Sequence, residues 1–253
     1  MTAKRYLSKD RVKKGGPFEL GKTILYAVLI ALVIRTVAFE PFNIPSESML
    51  PTLLVGDYLF VSKYAYGYSK HSLPWIRPNI DGRVIGRVPE RGDVAVFKLP
   101  SDDSTDYIKR IVGLPGDRIR MKGGQLFIND QPVERERVED FESRHRFFRQ
   151  YRETMPNGKS YMTLDLRDGG QNDDTELFVV PEGHYFAMGD NRDNSLDSRV
   201  DGRRGGVGFV PAENLVGRAE ILFFSTNGQA RWWEIWKWPA TVRVTRLLQT
   251  ISG

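Results

Sequence analysis

The most extended apolar stretch lies near the N-terminus, where Thr23 to Ile34 reads TILYAVLIALVI and Arg35 separates it from Thr36-Val37-Ala38-Phe39. A bilayer-spanning helix needs about 20 residues. Leu20 to Phe39 supplies that length if Lys22 and Arg35, near its two ends, carry their charges out to the interfaces. A cleaved export signal has a similar basic start and apolar middle but ends in small residues. Here Arg35 stands where such a cleavage region would begin, and Phe39-Glu40-Pro41 follows. The pattern therefore predicts an uncleaved anchor over 20–39.

Beyond Glu40 the period changes. Short apolar runs alternate with Gly, Pro, Asn and Asp: Tyr58–Ser62, Asp93–Phe97, Tyr107–Val112, Leu126–Ile128, Leu177–Val180 and Ala219–Phe224. These read as strands. Asn129-Asp130, between Gln125–Ile128 and Gln131–Val133, reads as a hairpin tip. No second long helical period and no internal repeat occurs, so the expected fold is mainly β after the anchor. Residues 134–176 break the strand pattern with dense charge and polar turn residues, and they read as an inserted segment with a solvated face. The resulting layout is a basic tail at 1–19, the anchor at 20–39, a β-rich domain at 40–133 and 177–230, the charged insertion, and a Trp-rich segment at 231–253. In that last segment four of the five tryptophans fall in Arg231–Trp238. They suit a membrane interface, or equally an aromatic flap folded on the domain itself.

With 253 residues, 40% hydrophobic and 27% charged, the chain can bury one substantial core. The formal charge is +5, and the residues up to Lys22 carry all of that excess. A basic tail with a neutral remainder is not the surface of a nucleic-acid-binding module. Next to an anchor, it predicts a cytoplasmic N-terminus with everything after Glu40 on the far side.

Zero cysteines remove thiolate nucleophiles and Cys-ligated metals. The three histidines, His71, His145 and His184, fall in a polar loop, the charged insertion and a turn, and no zinc or nucleotide motif occurs. A serine nucleophile can instead be activated by a lysine held neutral. Bringing a lysine from near 10.4 to about 7–8 requires roughly 4 kcal/mol of charge destabilisation, which desolvation can supply. In Tyr107–Val112, two-residue alternation puts Lys109 on one face with Tyr107 and Ile111. The commoner explanation of such a lysine is an edge residue that discourages strand pairing. The loop Asn43–Leu53, with Pro45 and Pro51 restricting it, could present Ser48 rigidly with the Ser46 hydroxyl nearby. Serine-rich loops with proline are also ordinary turns.

Four ordered segments carry a resemblance: Pro45–Leu53 (PSESMLPTL), Arg91–Phe97 (RGDVAVF), Tyr107–Asp117 (YIKRIVGLPGD) and Gly189–Arg199 (GDNRDNSLDSR). Together with the preceding apolar segment they resemble bacterial type I signal peptidases. The resemblance implies a catalytic domain of strongly bent antiparallel sheets and a serine endopeptidase that removes signal peptides from exported preproteins. It implies Ser48 as nucleophile and Lys109 as general base, with the Ser46 hydroxyl and the Ser48 N–H binding the oxyanion. It further implies that Ser195 orients the amine and that Asp197 and Arg199 support the site. Phe42, Ile44, Leu53, Val96 and Ile108 would line shallow pockets selecting small residues at −3 and −1, although core packing explains each of them too.

No metal or organic cofactor is implied. The implied partners are preprotein signal peptides and membrane lipid, with a functional link to the export machinery. The implied state is a monomer, single-pass in the bacterial cytoplasmic membrane, with its catalytic domain on the periplasmic side. Where the family often has glycine between the two serines, this chain has Glu47. Three rivals stay open on the sequence: a Ser-Lys autoprotease of the repressor type, an anchored binding protein without catalysis, and an organellar homologue.

Overall fold

The computed structural model describes residues 17–72, 82–143, 146–228 and 233–251. The basic tail before Pro17, His145 of the insertion, and Arg231 and Trp232 lie outside the described residues.

Helix α1 (Pro17–Val37) has no buried residue, as an apolar helix without a protein partner must. It is long and apolar enough to cross a membrane. Twenty-one residues at about 1.5 Å each extend roughly 31 Å, near the thickness of a hydrocarbon core. The helix ends two residues earlier than the expected anchor, because Phe39 already belongs to a strand.

The strands follow in chain order as β1 (Phe39–Asn43), β2 (Asp57–Ser62), β3 (Val94–Lys98), β4 (Asp106–Gly113), β5 (Arg118–Lys122), β6 (Gln125–Ile128) and β7 (Gln131–Pro132). Next come β8 (Glu134–Arg137), β9 (Phe141–Ser143), β10 (Arg146–Thr154), β11 (Ser160–Asp165), β12 (Phe178–Val179), β13 (His184–Met188), β14 (Val210–Pro211) and β15 (Leu215–Ser225). A seven-stranded antiparallel sheet runs β1-β2-β15-β3-β4-β13-β14. Register shifts in its β15 and β13 pairings mark bulges, which bend the sheet. A second sheet runs β12-β5-β6-β7, and its β6–β7 turn has Asn129 and Asp130 at φ 52° and 64°, the left-handed pair that a tight hairpin requires.

β3 is apolar at successive positions because both of its faces are covered. Val94 and Val96 pack with Ile44, Met49, Leu53, Leu59 and Val61, whereas Ala95 and Phe97 pack with Ile111, Tyr185, Ala187 and Leu215. The first cluster lies under the serine loop and gives it a rigid floor.

The charged insertion is more than a decorated surface. β8, β9, β10 and β11 form a third sheet. The Glu134–Asp140 run stays largely exposed, yet Phe148, Met155, Tyr161 and Leu164 are buried. Glu153 and Arg192 form a fully buried ion pair across the segment's boundary. Buried ions interrupt the hydrophobic period of β10 and β11, so their alternation is invisible in composition. In the C-terminal segment, Trp233, Trp236 and Trp238 are exposed, and Trp238 packs its ring against Phe224.

Candidate active site

The loop from Ile44 to Leu53 is fixed at both ends. The Ile44 N–H donates to the Asp57 carbonyl (2.8 Å), and the Leu53 N–H donates to that of Met49 (2.8 Å). This last turn points Leu53 inward. Its middle is held from the other side of the molecule by the segment after β13. The Asn191 N–H donates to the Ser48 carbonyl (3.1 Å), and Asn191 Nδ2 donates to the Glu47 carbonyl (3.0 Å).

Asp190 ties this arrangement to the strand that carries Lys109. Its carboxylate receives Nε and Nη2 of Arg110 at 2.8 and 2.7 Å, together with the Thr52 hydroxyl at 2.6 Å. Arg110 is fully buried, so this two-pronged pairing is what makes the charge tolerable. Ser48 lies just before Thr52, and Lys109 lies beside Arg110. One ion pair thus fixes the relative position of both.

The Lys109 Nζ donates to the Ser48 Oγ at 2.7 Å and to the Ile108 carbonyl at 3.0 Å. It stands over the Tyr107 ring, 5.4 Å from the centroid, in keeping with the shared face expected from alternation. Lys109 is only 4% exposed. Burial pushes the amine down from 10.5 to about 8, against the opposing pull of the Asp197 and Asp190 carboxylates. Lys109 is paired with Ala95 of β3, while β13 pairs β4 only from Arg110 onward, so Lys109 sits where the β13 pairing ends.

Ser46 Oγ is 3.4 Å from Ser48 Oγ. The Ser48 N–H makes no hydrogen bond among the described residues. An unpaired N–H and a hydroxyl thus sit close to the serine oxygen, where an anion could be received.

Asp197 and Arg199 form a buried bidentate pair, both contacts 2.9 Å, and Asp197 also accepts the Gly189 N–H. Burial opposes ionisation of Asp197, but Arg199 and these donors outweigh it and hold the carboxyl below its usual range. Ser195 is buried on the wall of the same cavity as Lys109. Its hydroxyl makes no hydrogen bond to the amine, whose second bond goes to its own strand at Ile108.

The cavity over these groups has a volume of about 670 Å3. Phe42, Ile44, Val96 and Ile108 line it; Leu53 does not, being fully buried in the cluster below. Gln171, Asn172, Asp193 and Asn194 also line it. Gln171 and Asn172 come from the insertion, and single-sequence patterning gave no signal for them. Arg110 and Asp190 were also missed, although a charged residue within the apolar run of β4 was a visible hint.

Asp165, Asp173 and Asp193 bring carboxylate oxygens within 4.8 Å of one another. Protein groups already meet this cluster. Arg135 donates to Asp165, the Gly170 N–H donates to Asp173, and the Leu166 and Arg167 N–H groups donate to Asp193.

Comparison with known proteins places the chain in a family. A family model described as signal peptidase, peptidase S26, matches residues 18–224. The signal peptidase I of Rickettsia conorii is 38% identical over 264 residues, covering 96% of this chain and 96% of that protein. That of Rickettsia typhi is 40% identical and covers 89% of this chain and 90% of its own. The crystal structure of a signal peptidase I from Enterococcus faecalis is 27% identical, covering 52% of this chain and 97% of that one at a TM-score of 0.31. A family match over most of the length, with relatives near 40% identity along nearly the whole chain, settles the assignment: the chain belongs to the signal peptidases, peptidase S26.

Proposed function

We propose that this chain is a membrane-anchored serine endopeptidase that removes signal peptides from exported preproteins, with Ser48 as nucleophile and Lys109 as general base. The observation that carries the reading is the 2.7 Å contact between a buried lysine amine and a serine hydroxyl on the wall of an open cavity.

Neutral Lys109 takes the Ser48 proton as Oγ attacks the scissile carbonyl. The Ser46 hydroxyl and the Ser48 N–H receive the oxyanion, each such donor being worth about 3 kcal/mol. The Lys109 ammonium then protonates the leaving amine, and the acyl-enzyme remains on Ser48. Water, deprotonated by the same lysine, releases the mature chain's partner fragment and restores the serine. With the amine at about 8, a tenth of it is neutral at pH 7, about three-hundredfold more than for an amine at 10.5.

Asp197 and Arg199 serve as a rigid support behind Gly189 and Ser195. Ser195 bounds the space around the amine. Phe42, Ile44, Val96 and Ile108 make an apolar wall suited to small side chains at −3 and −1, while Leu53 acts from beneath as packing. Helix α1 is the anchor, and its basic N-terminal flank puts the N-terminus in the cytoplasm and the sheets on the opposite side. Ser48 lies nine residues past Phe39, so an extended chain could hold it no more than about 30 Å from the bilayer. Every group in this mechanism comes from one chain.

The test is cleavage of a labelled preprotein by the full chain in detergent. A discrete mature fragment is expected from wild type, and none from folded Ser48→Ala, Lys109→Ala or Lys109→Arg, since guanidinium stays charged. Wild-type processing by folded Lys109→Ala would refute the dyad. An intact substrate with wild-type protein would leave a binding protein as the reading.

A further inference from the structure

A single residue, Ala38, separates the membrane-length helix from the first strand, and both of its backbone groups are engaged. Its N–H donates to the Ile34 carbonyl at 2.8 Å, which prolongs α1, and its carbonyl accepts the Lys63 N–H at 3.0 Å, which prolongs the pairing of β1 with β2. A carbonyl at a helix end usually turns to water or to a glycine-led cap. That of Val37, the last residue of α1, instead accepts the Tyr68 hydroxyl at 2.6 Å. The Glu40 carboxylate meets Nζ of the fully buried Lys63 at 2.9 Å and, more loosely, Arg35 in the last turn of α1 at 4.0 Å. Lys63 Nζ also donates to the Ser72 carbonyl at 2.6 Å, and the Phe39 ring stands edge-on to Tyr64 with 5.6 Å between centroids. Helix and sheet are thus clasped with no free linker between them. From the clasp, the five residues of β1 carry the chain about 17 Å to the loop that holds Ser46 and Ser48.

From this geometry we infer that the junction of α1 with β1 selects the scissile bond by holding Ser48 at one height above the membrane, with Tyr68 and Glu40 as its positioning residues. The inference rests on the reading of the chain as an anchored Ser48–Lys109 peptidase. A preprotein whose apolar signal segment lies in the same bilayer leaves it as an extended chain that advances about 3.3–3.6 Å per residue. A nucleophile fixed in height meets one bond of that chain, whereas one free to move by about 14 Å meets any of roughly four. The apolar wall beside Ser48 cannot tell apart two sites with the same side chains, but height can. A misplacement of even about 1 Å can cost a hundredfold in rate, so a preference of about tenfold for the site at the right height is a modest demand. A short soluble peptide has no tether to the bilayer, and its cleavage does not depend on the clasp.

The experiment uses the full chain in vesicles of phosphatidylethanolamine and phosphatidylglycerol, with a labelled preprotein that carries two identical cleavage sites four residues apart. Wild type is expected to cut one of them about tenfold faster than the other. Inserting Gly-Ser-Gly-Ser between Ala38 and Phe39 together with Tyr68→Phe loosens the clasp and is expected to bring the two rates within about threefold, with Tyr68→Phe alone falling between. On a soluble peptide of about ten residues holding one site, kcat/KM of all three proteins is expected to agree within twofold. An undiminished preference in the insertion variant would overturn the inference, as would equal cutting of both sites by wild type. A loss on the soluble peptide as large as that on the preprotein would reduce the junction to a support of the fold and overturn it too. Cleavage that persists in Ser48→Ala would instead bring down the serine reading, and a wild-type chain that fails to float with the vesicles would bring down the anchor.

Discussion

Replacing Lys109 by methionine should make the folded protein more stable at neutral pH and less stable at alkaline pH. The folded state holds the amine at about 8, whereas the unfolded chain holds it near 10.5. Where the group is charged in both states, this difference costs the fold about 3 kcal/mol. Between the two values the unfolded chain binds the extra proton, so wild-type stability rises with pH across that window. Below about 8 the penalty is fully present, and above about 10.5 it has gone. Methionine removes the penalty but also forfeits the bonds to Ser48 and the Ile108 carbonyl, about 1 kcal/mol each at any pH. The variant should therefore exceed wild type by about 1 kcal/mol at pH 6.5 and fall short by about 2 kcal/mol near pH 10.5. Urea unfolding of both full chains in the same detergent, followed by far-UV circular dichroism across that range, gives the difference directly. Other titrating groups cancel between the two proteins. A difference that stays constant with pH would mean that the amine titrates alike in both states, and the desolvation argument would fail.

Ser46→Ala should lower kcat for preprotein cleavage by about a hundredfold with KM little changed, the signature of a lost oxyanion donor; an unchanged kcat would remove Ser46 from that role. Gly189→Ala would set a Cβ 2.5 Å from the Ser48 carbonyl oxygen and 2.3 Å from Ser195 Oγ, so it should displace Ser48, abolish processing and lower the melting temperature. Wild-type activity in that variant would contradict the packing described here. Arg110→Met leaves Asp190 buried without its guanidinium and should cost about 3–5 kcal/mol in urea unfolding; a loss below about 1 kcal/mol would show that the pair does not hold the serine loop to β4.

The sequence was most legible where one short segment determines its own geometry. Apolar continuity gave α1, short apolar runs bounded by turn residues gave β2, β3 and β4, and Asn129-Asp130 gave a hairpin whose positive φ angles those residues tolerate. Alternation also put Lys109 with Tyr107 before any contact was known. What stayed hidden depends on partners far apart in sequence. Arg110 and Asp190 are 80 residues apart, and neither predicts the other without the fold. Glu153 and Arg192 look like solvated charges because composition cannot show that each neutralises the other inside a core. Leu53 looked like a pocket residue because the motif places it near Ser48, yet one turn of backbone sends its side chain the other way. The resemblance implied Ser195 beside Lys109 as the group that orients the amine; both line one cavity, and the amine's second hydrogen bond goes to the Ile108 carbonyl.

The central claim is that Lys109 acts as a neutral amine near physiological pH, and the pH dependence of kcat/KM for preprotein cleavage tests it most directly. The rate should rise tenfold per pH unit below the midpoint and level off above a value near 8, where the buried amine has lost its proton. A profile that is flat from pH 6 to 10, or one whose midpoint stays near 10.5, would contradict it.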